Sequence, residues 1–361
     1  MQKLDIARNY ELLVNIRQTE GMLLISFDAS KNAVVTSFER LVDFPYLTDF
    51  SRISLMAAEQ DLKSILNKLD YTDDARVVEQ MSAQMQVVKA RLAGIRNKVV
   101  VMSGKGGVGK SMTTVNLALA LARSGQRVGL VDVDLNGPCV PQMLGIRGAT
   151  VTYGPEGAFP PVGPLGIKVA SMDFLVNTNA PVRWKGPMDL SPVWLGMTEM
   201  NVIREFLSDI VWGELDYLLA DLPPGAAADK PPLLSGLISD LAGAVVVTTP
   251  SEVASNVVQK SIAYAQEVGI EVLGVIENMS EYRCPSCGEE NPLFEGDTET
   301  MCDALGLPLL GRIPFDRTFA KTFDKGNPLL DETYPTIQKY QEIARKVQTL
   351  LDYKKVLAEK S

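Results

Sequence analysis

The chain has 361 residues, 46% of them hydrophobic and 22% charged, which is enough apolar material for a sizeable core in one to three domains. Its formal net charge of −9, with no basic block, argues against nucleic acid as the main partner. It has no histidine, so Ser-His-Asp triads, imidazole acid–base catalysis and His-metal sites are excluded, and proton transfer falls to Asp, Glu, Lys, Tyr, Cys or water.

Residues 1–97 differ in pattern from the rest. The N-terminus MQKLDIARNY lacks the apolar run of a secretory leader, and MLLI at 22–25 is far too short to span a bilayer. Together with only four cysteines (Cys139, Cys284, Cys287 and Cys302), this predicts a cytoplasmic, reducing location. A helix is expected near the start, followed by the strands GMLLISF and AVVTSF around a DASKN turn. A helix is expected over 59–69, and a connecting helix over 76–97 from the apolar spacing of Val77, Val78, Met81, Met85, Val88, Leu92 and Ile95. These features predict a small N-terminal α/β domain over 1–97; an appendage packed on the main domain fits the same pattern.

From residue 98 to 361 the chain alternates strand and helix. KVVVMS, QRVGLVDVD, GIKVAS, LDYLLADLP, GAVVVTTP and VLGVIENM read as strands, several nearly continuous in apolar residues, as strands buried on both faces are. MTTVNLALALARSG and SNVVQKSIAYAQEVG read as intervening helices. The expected fold class is α/β, a mostly parallel sheet with helices on both faces, binding ligands at the carboxyl ends of its strands.

SGKGGVGKS at 103–111 follows the first of these strands and opens a helix, the setting that a P-loop requires. Gly104, Gly106, Gly107 and Gly109 let the backbone curl around Lys105 and Val108 so that N–H groups converge on a phosphate at a helix N-terminus. Lys110 is placed to reach the β- and γ-phosphates of ATP, and Ser111 to ligate Mg²⁺. Asp132 and Asp134 end one strand and Asp221 ends another. Asp221 fits the magnesium-holding role, Asp132 a place near the metal, and Asp134 the positioning of the attacking water.

The second lysine of the loop, Lys105, resembles the deviant Walker A class that includes ParA, MinD and the nitrogenase iron protein. That resemblance implies an ATP-linked homodimer in which Lys105 reaches the partner's nucleotide. The class has Thr after the loop Ser, whereas Met112 stands here, so a hydroxyl near the phosphates is lost.

The segments DLNGPCVPQMLG, RWKGPM, WGELDYLLADLPPG, VVVTTPSEVA, VIENMS, CPSCG and LPLLGRIPFD occur in that order between about residue 98 and about residue 330. Together they resemble the Mrp/ApbC family of iron–sulfur cluster carrier NTPases. The resemblance implies that Asn278 contacts adenine and that Pro314 and Phe315 flank the base. Where the family has Thr-Gly-Asp after LPPG, this chain has Ala226, Ala227 and Ala228, with Asp229 one place later, which implies slow hydrolysis or altered coupling to a partner. Residues 1–97 do not match the small N-terminal domain of many bacterial members, so no function is carried over to them.

Cys284 and Cys287 stand in CPSCG, a spacing that lets two thiolates face one metal. Two thiolates are half of a four-sulfur site, and a two-fold dimer repeats each residue and supplies the other half. Cys139 and Cys302 lack ligand spacing and read as ordinary small buried residues. The family resemblance implies a [4Fe–4S] cluster bridged between subunits and passed to apo iron–sulfur proteins. A structural zinc and a thiol redox pair fit the same spacing. In the C-terminal segment, Ile337, Tyr340, Ile343, Val347, Leu350 and Leu351 form an apolar stripe; it is expected to dock on the domain, the alternative being a MinD-like helix lying on a membrane.

Overall fold

The computed structural model describes residues 4–7, 10–19, 22–28, 35–39, 85–175, 191–223, 230–238, 240–284, 286–287 and 289–358. The chain divides into two compact units, one of residues 1–84 with 185–195, the other of residues 85–184 with 196–361.

In the smaller unit, β1 (Leu4–Ala7), β2 (Tyr10–Thr19), β3 (Met22–Asp28) and β4 (Val35–Glu39) form an antiparallel sheet in sequence order. The two expected strands correspond to β3 and β4. The helix expected before them is corrected to β1 and β2. The reason is visible in YELLVNIRQT: Tyr10, Leu12, Val14 and Ile16 alternate with Glu11, Asn15 and Arg17, a period of two that suits a pleated strand rather than a helix. The helix expected over 59–69 lies outside the described residues.

The larger unit begins with helix α1 over 85–92. Residues 76–84 of the expected connecting helix are outside the description, and its last residues are not helical. Ile95 already belongs to β5 (Ile95–Ser103), because the chain turns at Gly94, where an added Cβ would lie 3.1 Å from the Gly213 carbonyl. There follow α2 (Lys110–Arg123), β6 (Val128–Asp132), α3 (Val140–Met143), the short hairpin β7 (Thr152–Gly154) and β8 (Gly157–Phe159), and β9 (Lys168–Ala170). Next come α4 (Ser191–Ser208), whose residues 191–195 belong to the smaller unit, β10 (Leu215–Asp221), α5 (Lys230–Leu237), β11 (Leu241–Thr248) and α6 (Glu252–Glu267). The chain ends with β12 (Val272–Arg283), β13 (Glu290–Pro292), α7 (Thr298–Leu305), β14 (Leu309–Phe315), α8 (Arg317–Asp324) and α9 (Pro335–Ala358).

The main sheet runs β13-β12-β11-β5-β10-β6-β9, with β14 also paired to β12. Every pairing is parallel except β12–β13. The fold is therefore the expected mostly parallel sheet with helices on both faces. Alternation along β5 feeds two cores: Val100 and Met102 pack with Leu92, Ile203, Trp212, Val258 and Ile262 on one face, while Val99 packs with Val115, Leu117, Leu119 and Leu121 of α2 on the other. The stripe of α9 closes the second core. Ile337, Tyr340, Ile343, Val347 and Leu351 are buried there and Leu350 is partly buried, so the face that a membrane would need is already covered. No described helix is long and apolar enough to cross a membrane.

Candidate nucleotide cleft and cysteine hairpin

Parallel pairing brings the functional strand ends together. Asp221 of β10 pairs in register with Asp132 of β6 and with Val101 of β5, two residues before the phosphate loop opens at Ser103. At Gly109 the backbone takes φ 78°, the left-handed region that glycine enters without a Cβ penalty, and α2 starts directly after it with no side chain capping its first turn. The uncapped N–H groups and the helix dipole make this end an anion site.

A cleft of about 310 Å³ opens over this loop. Lys105, Gly106, Gly107, Val108, Gly109, Lys110, Ser111, Met112, Asp134, Asn278, Pro314 and Phe315 line it together, as do Cys139, Met143, Phe319 and Tyr340. Gly104 is buried beneath the loop instead, with its Cα against the backbone of α6.

Beneath the cleft lies a charged cluster shielded from water. Lys110 Nζ is 2.7 Å from Asp221 Oδ1 and donates to Ser111 Oγ at 3.2 Å. Thr114 Oγ1 donates to the same Asp221 oxygen at 2.6 Å. Asp132 Oδ2 accepts the N–H groups of Cys139 and Val140 and the Ser171 hydroxyl, at 3.2, 3.3 and 3.1 Å. Burial and the neighbouring Asp221 push the Asp132 carboxyl up to about 8. The second oxygens, Asp132 Oδ1 and Asp221 Oδ2, are buried without a hydrogen-bond partner. Two orphaned carboxylate oxygens beside a serine hydroxyl at the phosphate loop fit a hard divalent cation such as Mg²⁺. Asp134 stands apart from this pair, half-buried at the cleft, with Oδ1 accepting the Gly137 N–H at 3.0 Å.

The remaining loop lysine behaves differently. Lys105 Nζ donates to Ser251 Oγ at 3.4 Å. Ser251 also caps α6, accepting the Ala254 N–H at 3.2 Å. Asn278 Nδ2 donates to the Val108 carbonyl at 2.9 Å, which fixes the loop from the far side of the cleft.

Sequence reasoning passed over Thr114, Ser171 and Ser251, because their partners lie on other strands and loops. It also misread Cys139. That thiol is half-buried and lines the cleft; burial, then the negative charge of Asp132, pushes it up to about 11. Its place in the loop from the strand end at Asp132 to α3, seven residues after that aspartate, was the available signal. Cys302 is buried, as expected, and burial pushes it up to about 11.

Cys284 and Cys287 sit at the tip of a hairpin outside the cleft. Strand β12 runs on past Asn278, bends at Met279 with φ 56°, and pairs Tyr282 with Asn291 of β13. The Cys284 N–H donates to the Glu289 carbonyl at 2.8 Å and closes the turn. Cys287 is exposed and Cys284 partly so. The Cys284 thiol is held below its ordinary range because the N–H groups of Cys287 and Ser286 donate to its sulfur. Among the described residues, no group of three or more His, Cys, Asp or Glu side chains is arranged to hold a metal, so the pair is an open two-thiolate site. The Tyr282 and Phe315 rings, 6.3 Å apart between centroids, link this hairpin to the cleft wall.

Comparison with known proteins agrees with this arrangement. Residues 94–348 match the family model described as ParA: NUBPL iron-transfer P-loop NTPase. The chain is 43% identical over 279 residues to the iron-sulfur cluster carrier protein of Saccharolobus solfataricus, an alignment covering 76% of this chain and 90% of that one. It is 41% identical over 249 residues to the cytosolic Fe-S cluster assembly factor CFD1 of Chaetomium globosum, covering 65% and 79% of the two chains. Among solved structures, a nucleotide-binding protein from Archaeoglobus fulgidus in complex with ADP superposes with a TM-score of 0.59 at 35% identity, over 71% of this chain and 96% of that one. A phosphate loop with a second lysine, a paired-carboxylate floor and an exposed two-cysteine hairpin thus accompany a family match over most of the larger unit, and the chain belongs to the ParA/NUBPL iron-transfer P-loop NTPases.

Proposed function

We propose that this protein is a cytoplasmic ATPase that carries iron–sulfur clusters: two copies hold one [4Fe–4S] cluster between their Cys284–Cys287 hairpins and hand it to apo-proteins. The observation that carries this reading is the open pair itself, two accessible thiols at a hairpin tip with the Cys284 thiolate favoured by backbone N–H groups. A closed structural metal site completes its four ligands within its own fold. Here a second copy supplies the other two sulfurs, and exposed Leu293 and Phe294 beside the hairpin offer apolar surface for contact. Cargo held at a seam between subunits is reachable by a recipient.

The cleft takes ATP. Loop N–H groups from Lys105 to Met112 surround the phosphates, Lys110 turns from Asp221 to the β- and γ-oxygens, and Lys105 neutralises phosphate charge across the two-fold axis. Asn278, Pro314 and Phe315 bound the base. Asp134 orients the attacking water. Ser111, Asp132 and Asp221 would hold a magnesium ion, which would supply charge neutralisation at the phosphates. The loop with Ala226, Ala227 and Ala228 lies outside the described residues; its departure from the family pattern supports slow turnover. The smaller unit, residues 1–84 with 185–195, has no assigned role, and the larger unit carries the nucleotide and cluster sites.

Anaerobic reconstitution with iron and sulfide tests the reading. Wild type is expected to gain acid-labile sulfide and the broad visible absorption of a cluster, and Cys284→Ala/Cys287→Ala to gain neither. Stoichiometric zinc on the pair in place of iron would overturn it.

A further inference from the structure

The cysteine hairpin is tethered to the phosphate loop directly on its β12 side and, on its β13 side, through Pro250 and Ser251. On the β12 side, Asn278 Nδ2 holds the Val108 carbonyl, and a Cβ added to Gly109 would come within 2.2 Å of that nitrogen. Met279 follows at φ 56°, a conformation that costs a non-glycine residue energy and persists only where its surroundings impose it. On the β13 side, the Gly296 N–H donates to the Pro250 carbonyl at 2.9 Å, and a Cβ on Gly296 would lie 2.8 Å from that oxygen. The next residue after Pro250 is Ser251, whose hydroxyl receives Lys105 Nζ at 3.4 Å. Helix α6, which Ser251 caps, lies against the loop so closely that a Cβ on Gly104 would meet the Val258 nitrogen at 2.9 Å.

Lys105 therefore has two competing partners. A serine hydroxyl is a neutral acceptor, whereas a phosphate oxygen carries charge and adds Coulomb attraction to the hydrogen bond with the ammonium. Lys105 stands at the edge of the cleft, so a nucleotide phosphate presented to it, the partner subunit's included, draws the lysine off Ser251. We propose that Ser251 is a positioning residue that holds Lys105 until nucleotide takes it, and that its release shifts the Pro250–Gly296 contact and with it the Cys284–Cys287 hairpin. The assignment of that hairpin as the cargo site rests on the function proposed above. The coupling itself rests on the two tethers.

The test uses the full-length, reduced, cargo-free protein. Iodoacetamide labelling of Cys284 and Cys287 is followed by peptide mass spectrometry with and without saturating Mg-ATP, so Cys139 and Cys302 are scored separately. Wild type is expected to show an ATP-dependent change in labelling rate of about fivefold or more, the ordinary scale of coupling between sites. In Ser251→Gly, which keeps most of the helix-capping preference while removing the hydroxyl, the ratio falls to unity, and the nucleotide-free rate equals the wild-type rate with ATP. Ser251→Thr restores the ratio, which a general loosening of α6 would not allow. An unchanged ratio in Ser251→Gly, or no ATP effect in wild type, overturns the proposal. Reconstitution of the same variants separates the two claims. Lost coupling in Ser251→Gly with no cluster on wild type sinks the carrier reading alone. A normal cluster with unaltered ATP dependence in Ser251→Gly sinks the coupling alone.

Discussion

Lys110 Nζ and Asp221 Oδ1 lie 2.7 Å apart, the lysine side chain 5% exposed and the aspartate fully buried. Removing one partner of such a pair strands the other charge, at a cost of ~3–5 kcal/mol. Lys110→Ala is therefore expected to lower unfolding free energy by about that amount and to abolish ATP binding. Lys110→Met/Asp221→Leu is expected to be more stable than Lys110→Ala alone, because no unpaired charge remains. Denaturant unfolding of the variants, with ATP titration alongside, checks both. A double-variant loss equal to the sum of the two single-variant losses would show that the pair is not coupled.

Gly109 and Gly125 share nearly the same backbone, φ 78° and 83°, but only Gly109 faces a neighbour: its Cβ position is 2.2 Å from Asn278 Nδ2, and that of Gly125 has nothing within 4 Å. Alanine at either site costs ~1–2 kcal/mol from the left-handed conformation. Gly109→Ala alone should also displace Asn278 and weaken nucleotide binding, by about tenfold for one lost, well-ordered hydrogen bond and the accompanying shift. A fluorescent ATP analogue measures the difference.

Met112 lines the cleft where the class carries a hydroxyl, and its side chain also packs on the second core. Met112→Thr is expected to tighten nucleotide binding about threefold, the scale of one added hydrogen bond. It should lower stability slightly through lost packing. Parallel binding and thermal-unfolding curves would expose a failure if affinity stayed level or fell.

The thiols should separate by pH. The Cys284 thiol is held below its ordinary value of 9.0 by N–H donors, whereas burial pushes Cys139 and Cys302 up to about 11. The thiolate is the reactive form, so Cys284 should reach half-maximal alkylation at a pH below 9.0 and the other two only well above it. Residue-resolved alkylation across pH tests this; a common midpoint for all three would refute it.

The phosphate loop was legible because its signal is local: strand, glycine turn, Lys110, Ser111 and helix are contiguous in sequence. Asp132 and Asp221 were legible as acids ending apolar strands. Parallel pairing then placed them in register. What could not be read were contacts made across the fold. Ser251 meets Lys105 from 146 residues away, and Thr114 reaches Asp221 from 107, so neither follows from spacing. The N-terminal strands failed for another reason. Their period-two alternation was present but interrupted at Leu13, and the pairing with β3, Ile16 opposite Ile25, completes the signal. The continuity of β12 through Met279 was also hidden, since a non-glycine residue at φ 56° reads as a turn rather than a bend within one strand.

The central claim is that one cluster is shared by two chains through Cys284 and Cys287. Native mass spectrometry of the anaerobically reconstituted protein tests it most directly. The account predicts a species of two chains plus four irons and four sulfides, ~0.35 kDa above the cluster-free dimer, that is lost in Cys284→Ala/Cys287→Ala. A single chain bearing a complete cluster, or zinc-loaded chains with no iron species, would contradict it.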